Sequence, residues 1–431
     1  MSKKIRNVDI PILARVEGEG ALHLQIQKGE LELVQLKIFE PPRLFEKFLE
    51  GRFYHEVLDI VARICGICPV AYQMSAAQAI EHCFGLSISP WVRQMRRLFY
   101  CGEWLESHGL HMHFLAAPDF LGFQSATEMA KSYPEELKRG LRLQAFGNEL
   151  VRLLGGRSVH PVGACVGGFY KAPDVSAIEN MLKKAQERIQ DCRDLLRWVC
   201  SFNFPKHHED ITCVSLRHEQ EYPMNEGRIV SNKGLNIAIE EFEQHFQEFQ
   251  QPYSNALHCL LKGKSYLVGP LARLNNNYDH LPSEITAFLQ ELKFNLPTLN
   301  MHHSIVARAI EIYLCVLEAS RILASYQSPQ QAKIPFTPGS GKGFGCTEAP
   351  RGLLWHQYHI NKEQKVIFAQ IVPPTSQNQA RIEEDLRFSL KQFGLNKKDD
   401  ELRLFSERVI RNYDPCISCS THFLTLNVSR E

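Results

Sequence analysis

Arg63-Ile64-Cys65-Gly66-Ile67-Cys68-Pro69 stands towards one end of the chain, and Asp414-Pro415-Cys416-Ile417-Ser418-Cys419-Ser420-Thr421-His422 towards the other. The first cysteines of these two Cys-x-x-Cys pairs are 351 positions apart. Each pair is short enough for both sulfurs to reach one metal ion. A four-thiolate site built from both pairs ties the two ends of the polypeptide together in the core. It predicts a metal placed late, after most of the protein has folded around its position. Pro69 suits the first position of a helix, and the apolar spacing continues to Ile80. Cys68 therefore precedes a helix N-terminus, where the dipole favours thiolate over thiol. Pro415 fixes the backbone approach to Cys416.

Read alone, the cysteine pairs allow three chemistries. A structural zinc site closes four thiolates around the ion, usually from pairs tens of residues apart. A thioredoxin-like disulfide uses one pair beside a βαβ unit. A catalytic transition-metal site uses the same soft ligands and leaves a position open.

Other segments surround them: Arg15-Val16-Glu17-Gly18, Arg43-Leu44-Phe45-Glu46, Gly156-Arg157 through His160-Pro161 to Gly167-Gly168, Glu348-Ala349-Pro350-Arg351-Gly352, and Val372-Pro373-Pro374-Thr375. Together with the cysteine segments, and in this order, they resemble the signature motifs of the nickel–iron hydrogenase large subunit over the whole chain. Cys68-Pro69-Val70-Ala71-Tyr72 and the short C-terminus are more similar to the cytoplasmic, NAD(P)-linked group, sometimes called sulfhydrogenases. Three positions depart from the best-known members. Tyr72 stands where many have histidine, Ser107 where membrane-associated enzymes have aspartate, and Pro374 where a serine donates to a cyanide ligand, with Thr375 as the neighbouring hydroxyl.

The resemblance implies reversible heterolytic cleavage of dihydrogen. Cys65 and Cys416 would bind nickel terminally, and Cys68 and Cys419 would bridge nickel to an iron carrying carbon monoxide and cyanide. Pro350, Arg351, Pro373 and Thr375 would surround those diatomic ligands. Arg351 would donate to cyanide or take part in proton transfer, and Glu17 would be the proton-relay carboxylate. Glu46 and His422 would hold a magnesium-like divalent ion. The resemblance also implies an iron–sulfur small subunit, flavin-containing NAD(P)-reacting subunits, nickel-delivery proteins, and a maturation protease that cuts after His422 and removes residues 423–431.

Composition agrees with this and excludes other classes. The chain has 431 residues, and 49 Lys plus Arg nearly balance 48 Asp plus Glu, so no basic stripe points to nucleic acid. The 13 cysteines suit reduced thiols of a cytoplasmic protein better than a disulfide framework. The N-terminal residues run into strand-like sequence, not an apolar signal core, and Arg63, Gln73 and Gln78 spoil the best candidate span, so direct membrane insertion is not expected. No run of closely spaced cysteines suggests an iron–sulfur cluster, and no dinucleotide or flavin fingerprint occurs. Electrons would have to leave through another polypeptide. Two other classes stay open: a non-catalytic complex I-like large subunit, whose relatives lack the cysteine pairs, and a zinc-stapled scaffold.

The expected fold is α+β and mainly helical, a single intertwined unit with the active site buried between the chain ends. Residues 8–38 read as strands, with turns at Gly18–Gly20 and Lys28–Glu30. Residues 43–330 read as a helical core, with helical spacing at 43–62, 70–84, 91–115, 135–154, 174–200, 235–262 and 300–326. Residues 263–280 read as loop with a short strand, and 333–352 as a Pro- and Gly-rich loop. A hairpin is expected at 353–371, then helices and the metal-ligand segment over 377–422. Gly339-Ser340-Gly341-Lys342-Gly343 lacks the spacing of a phosphate-binding loop. His108, His111 and His113 do not converge on one helix face, which predicts packed histidines.

Overall fold

The computed structural model describes residues 5–422. The tail at 423–431 that was expected to be cut away therefore lies outside the described residues. The architecture is mainly helical with small antiparallel sheets. Strands Ile5–Ile10, Gly20–Gln27 and Glu30–Ile38 form an N-terminal meander. Apolar residues alternate along the last two, and Leu22, Leu24, Val34 and Leu36 enter the main core. Helices Pro69–Phe84, Pro90–Leu110, Pro134–Gly155, Val175–Cys200 and Ser304–Ala324 build that core. Three of them start on proline, whose missing N–H costs nothing in the first turn.

Beside the helices runs the sheet Gly341–Ala349, Gly352–Ile360 and Val366–Val372. Its first strand falls where a loop was expected. Gly343 and Gly345 explain the difference. A Cβ on them would stand 2.0 Å from the Ala79 carbonyl oxygen and 2.1 Å from that of Ser75. These glycines let a strand lie directly on the helix Pro69–Phe84, so they serve close packing and not a turn.

Two further expectations are corrected. Residues 235–262 are not one helix but short helical turns followed by the hairpin Phe246–Gln250 and Leu257–Leu261. Phe242, Phe246 and Phe249 carry helical spacing, but Pro252 interrupts the segment. Phe242 instead stacks on Phe246 at 4.4 Å and on Trp355 at 4.8 Å, inside a second, smaller core. Within 263–280, Pro270–Asn277 is a helix despite three consecutive asparagines. Their side chains donate to the carbonyls of Thr298, Cys213 and Leu216 at 2.8, 3.2 and 3.1 Å, which outweighs weak helix propensity. The segment 43–62 is two short helices, Phe45–Leu49 and Val57–Val61, and the helix after Pro90 ends in a π-helical turn, His111–Ala116. Helices Pro374–Phe393 and Asp399–Asn412 lead back to the second cysteine pair.

Replacing Gly343 by alanine should separate the strand from the Pro69–Phe84 helix and cost about 1–3 kcal/mol. The expected result is an unfolding temperature lower by several degrees. An unchanged thermal unfolding curve contradicts the close-packing reading.

Candidate metal centre

Cys65 follows the helix Val57–Val61, and Cys68 is the residue before the helix Pro69–Phe84. Cys416 precedes the short helix Ile417–Ser420, which carries Cys419. All four are buried free cysteines, and their sulfurs lie within 4.8 Å of one another. Cys65 Sγ is 3.3 Å from Cys416 Sγ, Cys68 Sγ is 3.6 Å from Cys419 Sγ, and Cys416 Sγ is 2.9 Å from Cys419 Sγ. A disulfide needs about 2.05 Å, whereas a tetrahedron of ~2.3 Å metal–sulfur bonds has edges of about 3.8 Å. The separations exceed a bond and approach a shared metal. Hydrogen bonds from Cys416, Cys419 and Cys68, with the charge of Arg351 beside them, hold Cys65 well below the ordinary thiol range. Soft, anionic donors converging in this way fit a soft or borderline transition ion.

Residues from the N-terminal third clamp the two cysteine segments. The Arg43 guanidinium donates to the Ile64 carbonyl at 2.6 Å and to the Ser418 carbonyl, one residue before Cys65 and Cys419 respectively. The Arg43 N–H adds a 2.7 Å bond to the Thr421 carbonyl. The Glu17 carbonyl accepts the Ile417 N–H at 3.0 Å. Gly18 must be glycine here. Its φ is +87°, and a Cβ would meet Ile417 Cβ at 2.6 Å.

The Glu17 carboxylate accepts from the Cys416 thiol and the Ser418 N–H, both at 3.1 Å, and from the Ser418 hydroxyl. Burial and the charge of Cys416 raise its pKa while the Ser418 bonds oppose them, leaving it at about 7. The Thr375 hydroxyl, two residues into the helix that Pro373 precedes, accepts the Cys416 N–H at 3.1 Å.

Arg351 occupies the tight turn between strands Gly341–Ala349 and Gly352–Ile360. Its Nε donates to the Asp414 carbonyl at 2.6 Å, and its Nη2 lies 3.2 Å from the Asp414 carboxylate. Burial works against its charge, but Asp414, Cys416, Cys68 and Cys65 outweigh it and hold the guanidinium firmly protonated. Its Nη1 is buried without a hydrogen-bond partner. An orphaned donor beside four thiols fits a metal-bound ligand that accepts a hydrogen bond. The Tyr72 hydroxyl is buried beside Cys419 and Cys68, and burial and their charge push it well above the ordinary phenol range.

The turn rests on a buried arginine. Arg273 donates to the Ala349 and Pro350 carbonyls at 2.7 and 2.9 Å, to Glu348 at 2.9 Å, and to both oxygens of Glu311 at 2.8 Å. Glu311 also meets His108 Nε2 at 2.8 Å. The other two histidines of that group go elsewhere: His111 to the Arg411 carbonyl and His113 to the Gly109 carbonyl. Arg273 and Glu311 were not singled out from the sequence. Their helices gave no hint of which charged residue points inward.

Glu46 and His422 meet on the far side of Cys419. His422 Nε2 is 2.7 Å from the Ile371 carbonyl and 3.5 Å from Glu46 Oε1, and its Nδ1 is 2.6 Å from the Cys419 carbonyl. Burial disfavours the imidazolium, but Glu46, the Cys419 carbonyl and Glu248 raise its pKa. Burial and the charge of Glu46 push the Glu248 carboxyl up to about 8. Carboxylate, carbonyl and imidazole donors gathered here fit a hard divalent ion. Glu248 was missed because it lies in the segment read as a helix.

The chain is similar to known hydrogenases over most of its length. The family described as nickel-dependent hydrogenase matches residues 43–140 and 231–422. The chain is 30% identical to the sulfhydrogenase 2 alpha subunit of Pyrococcus furiosus, covering 97% of this chain and 100% of that one. It is 27% identical to the beta subunit of the NAD-reducing hydrogenase HoxS of Cupriavidus necator, covering 97% and 95%. The crystal structure of an NAD+-reducing nickel–iron hydrogenase in the H2-reduced state superposes with a TM-score of 0.88 at 26% identity, covering 98% of this chain and 100% of that one.

Arg273→Met would leave Glu311 and Glu348 as uncompensated buried carboxylates and strip two carbonyls of their donor. Removing one partner of such a network costs about 3–5 kcal/mol. A large fall in thermal unfolding temperature is expected, and a melting curve like that of the wild type contradicts the assigned network.

Proposed function

The chain belongs to the nickel-dependent hydrogenase family, whose reaction is the oxidation or production of dihydrogen, and from that premise we propose which residues carry the reaction and where its electrons go. The observation that carries the reading is the convergence of four buried thiols with Glu17 on one side and Arg351 on the other. In this reading Cys65 and Cys416 would be ligands of nickel alone, and Cys68 and Cys419 would serve both nickel and an iron bearing carbon monoxide and cyanide. Nickel and iron supply, when bound, the heterolytic cleavage of dihydrogen.

The protein's own groups handle the proton and the surroundings. Cys416 Sγ and Glu17 Oε2 are 3.1 Å apart, within range for direct proton transfer. A carboxyl titrating near 7 can both accept and release that proton. The free Nη1 of Arg351 would donate to an iron ligand. Thr375 accepts from the Cys416 N–H, which leaves its own hydroxyl proton for a second donation where Pro374 offers none. Pro350 and Pro373, both buried, would line the space around the diatomic ligands. Glu46, His422 and the Ile371 carbonyl, which already meet at the end of the ligand segment, would hold a magnesium-like ion.

Electrons leave through an iron–sulfur small subunit and pass to flavin-containing subunits that react with NAD(P). The likeness to an NAD-reducing hydrogenase subunit and a sulfhydrogenase alpha subunit supports this route. Nickel-delivery proteins load the site, and a maturation protease acts beyond His422. Among the described residues no helix is long and apolar enough to cross a membrane. We place the enzyme in the cytoplasm, with the large subunit as one folded unit.

Two substitutions test the assignment. In Cys419→Ser a harder, poorly ionised hydroxyl replaces a bridging thiolate. Dihydrogen oxidation should disappear together with nickel and iron, and full activity at normal metal content would refute the ligand set. Glu17→Gln keeps the shape but cannot ionise. Dihydrogen–deuterium exchange should fall about 10²- to 10⁴-fold at normal metal content. Exchange at the wild-type rate would mean that protons leave by another route.

A further inference from the structure

A second group of metal-type donors lies away from the four cysteines. The segment after the helix Val175–Cys200 carries His207 and Glu209 against the helix Pro374–Phe393. On that helix Arg381, Asp385 and Ser389 recur every fourth residue and so share one face. His207 Nε2 is 3.7 Å from Glu209 Oε2 and 3.8 Å from Asp385 Oδ1. Both distances are too long for hydrogen bonds. The nitrogen has no hydrogen-bond partner, although its side chain is only 2% exposed. One atom from each of the three residues falls within 4.8 Å of the others.

Two atoms each ~2.1 Å from one ion, at a tetrahedral angle, stand about 3.4 Å apart. The two distances from His207 exceed this by a few tenths of an ångström, and the two carboxylates stand within 4.8 Å of each other, so a modest closure of the three donors would place them on a common ion. The two carboxylates are also held from behind, as metal ligands are. Asp385 accepts from the Tyr413 and Ser389 hydroxyls, both at 2.9 Å, and Glu209 accepts from Arg381. A carboxylate has lone pairs to spare, so the Arg381 bond does not close Glu209 to a metal. Glu209 and Arg381 line a surface cleft of about 1150 Å³, which offers an ion a way in.

We propose that His207, Glu209 and Asp385 form a second cation site for a zinc-like divalent ion, which staples the segment around His207 to the Pro374–Phe393 helix. One imidazole with two carboxylates suits a borderline ion better than a purely hard or purely soft one. Through Tyr413 the same helix contact reaches the segment that carries Asp414 and Cys416. The site does not depend on the nickel chemistry proposed above.

The test uses the purified hydrogenase complex, incubated with Zn2+ and then freed of unbound metal. Zinc, nickel and iron are measured in the wild type, in His207→Gln and in Glu209→Gln. About one zinc per chain more is expected in the wild type than in either variant, with nickel and iron equal in all three. Zn2+ should also raise the unfolding temperature of the wild type alone. Equal zinc in all three proteins overturns the proposal. A wild type that retains no zinc overturns it without reference to any variant. A loss of nickel would instead bear on the four-cysteine centre, so the two readings fail separately.

Discussion

Four thiols from opposite ends of the polypeptide have to meet at one buried point, and the rest of the molecule is arranged around that requirement. Closing a loop of this length costs about 5 kcal/mol of chain entropy beyond a constant. That is small beside the burial of a core this large. The harder demand is geometric, since the second pair lies on a segment with little regular structure of its own. Arg43, Glu17 and Gly18 meet it from the N-terminal side. Arg43 holds the backbone one residue before Cys65 and one before Cys419. Glu17 extends along Cys416 as an isolated parallel bridge. Gly18 leaves the space that Ile417 fills.

Bringing the segment in means burying charge. Asp414 pairs with Arg351, and Arg411 pairs with Asp119 at 2.6 Å. Arg273 joins Glu311 and Glu348 beneath the turn that presents Arg351. Buried pairs of this kind add little net stability, because desolvation offsets most of their attraction. What they supply is position. A guanidinium held at Asp414 has one nitrogen left to offer, and it faces a site of concentrated negative charge. The same burial acts on Glu17, whose carboxyl is lifted towards neutrality by desolvation and by its cysteine neighbour.

Much of this was legible in the sequence. The cysteine pairs, Pro69 and Pro415 announced a site closed by both ends, and long amphipathic helices such as Val175–Cys200 read correctly from their spacing. The errors share a cause. Gly343 and Gly345 look like loop residues until the helix they touch is known. The asparagines of Pro270–Asn277 form a helix because distant carbonyls accept from them. Phe242 and Phe246 keep helical spacing but stack on each other, and Phe242 stacks on Trp355, far along the chain. In each case a tertiary contact overrode a local preference. Glu248, Arg273 and Glu311 were hidden for the same reason, since a lone charged residue on a helix or strand does not show which way it points.

The central claim is that the four cysteines hold a nickel–iron pair. Elemental analysis of the large subunit, separated from its iron–sulfur partner after purification of the active complex, tests it most directly. Nickel and iron at about one each per chain is the predicted result. Zinc without nickel, or no transition metal at the cysteines, would contradict the account.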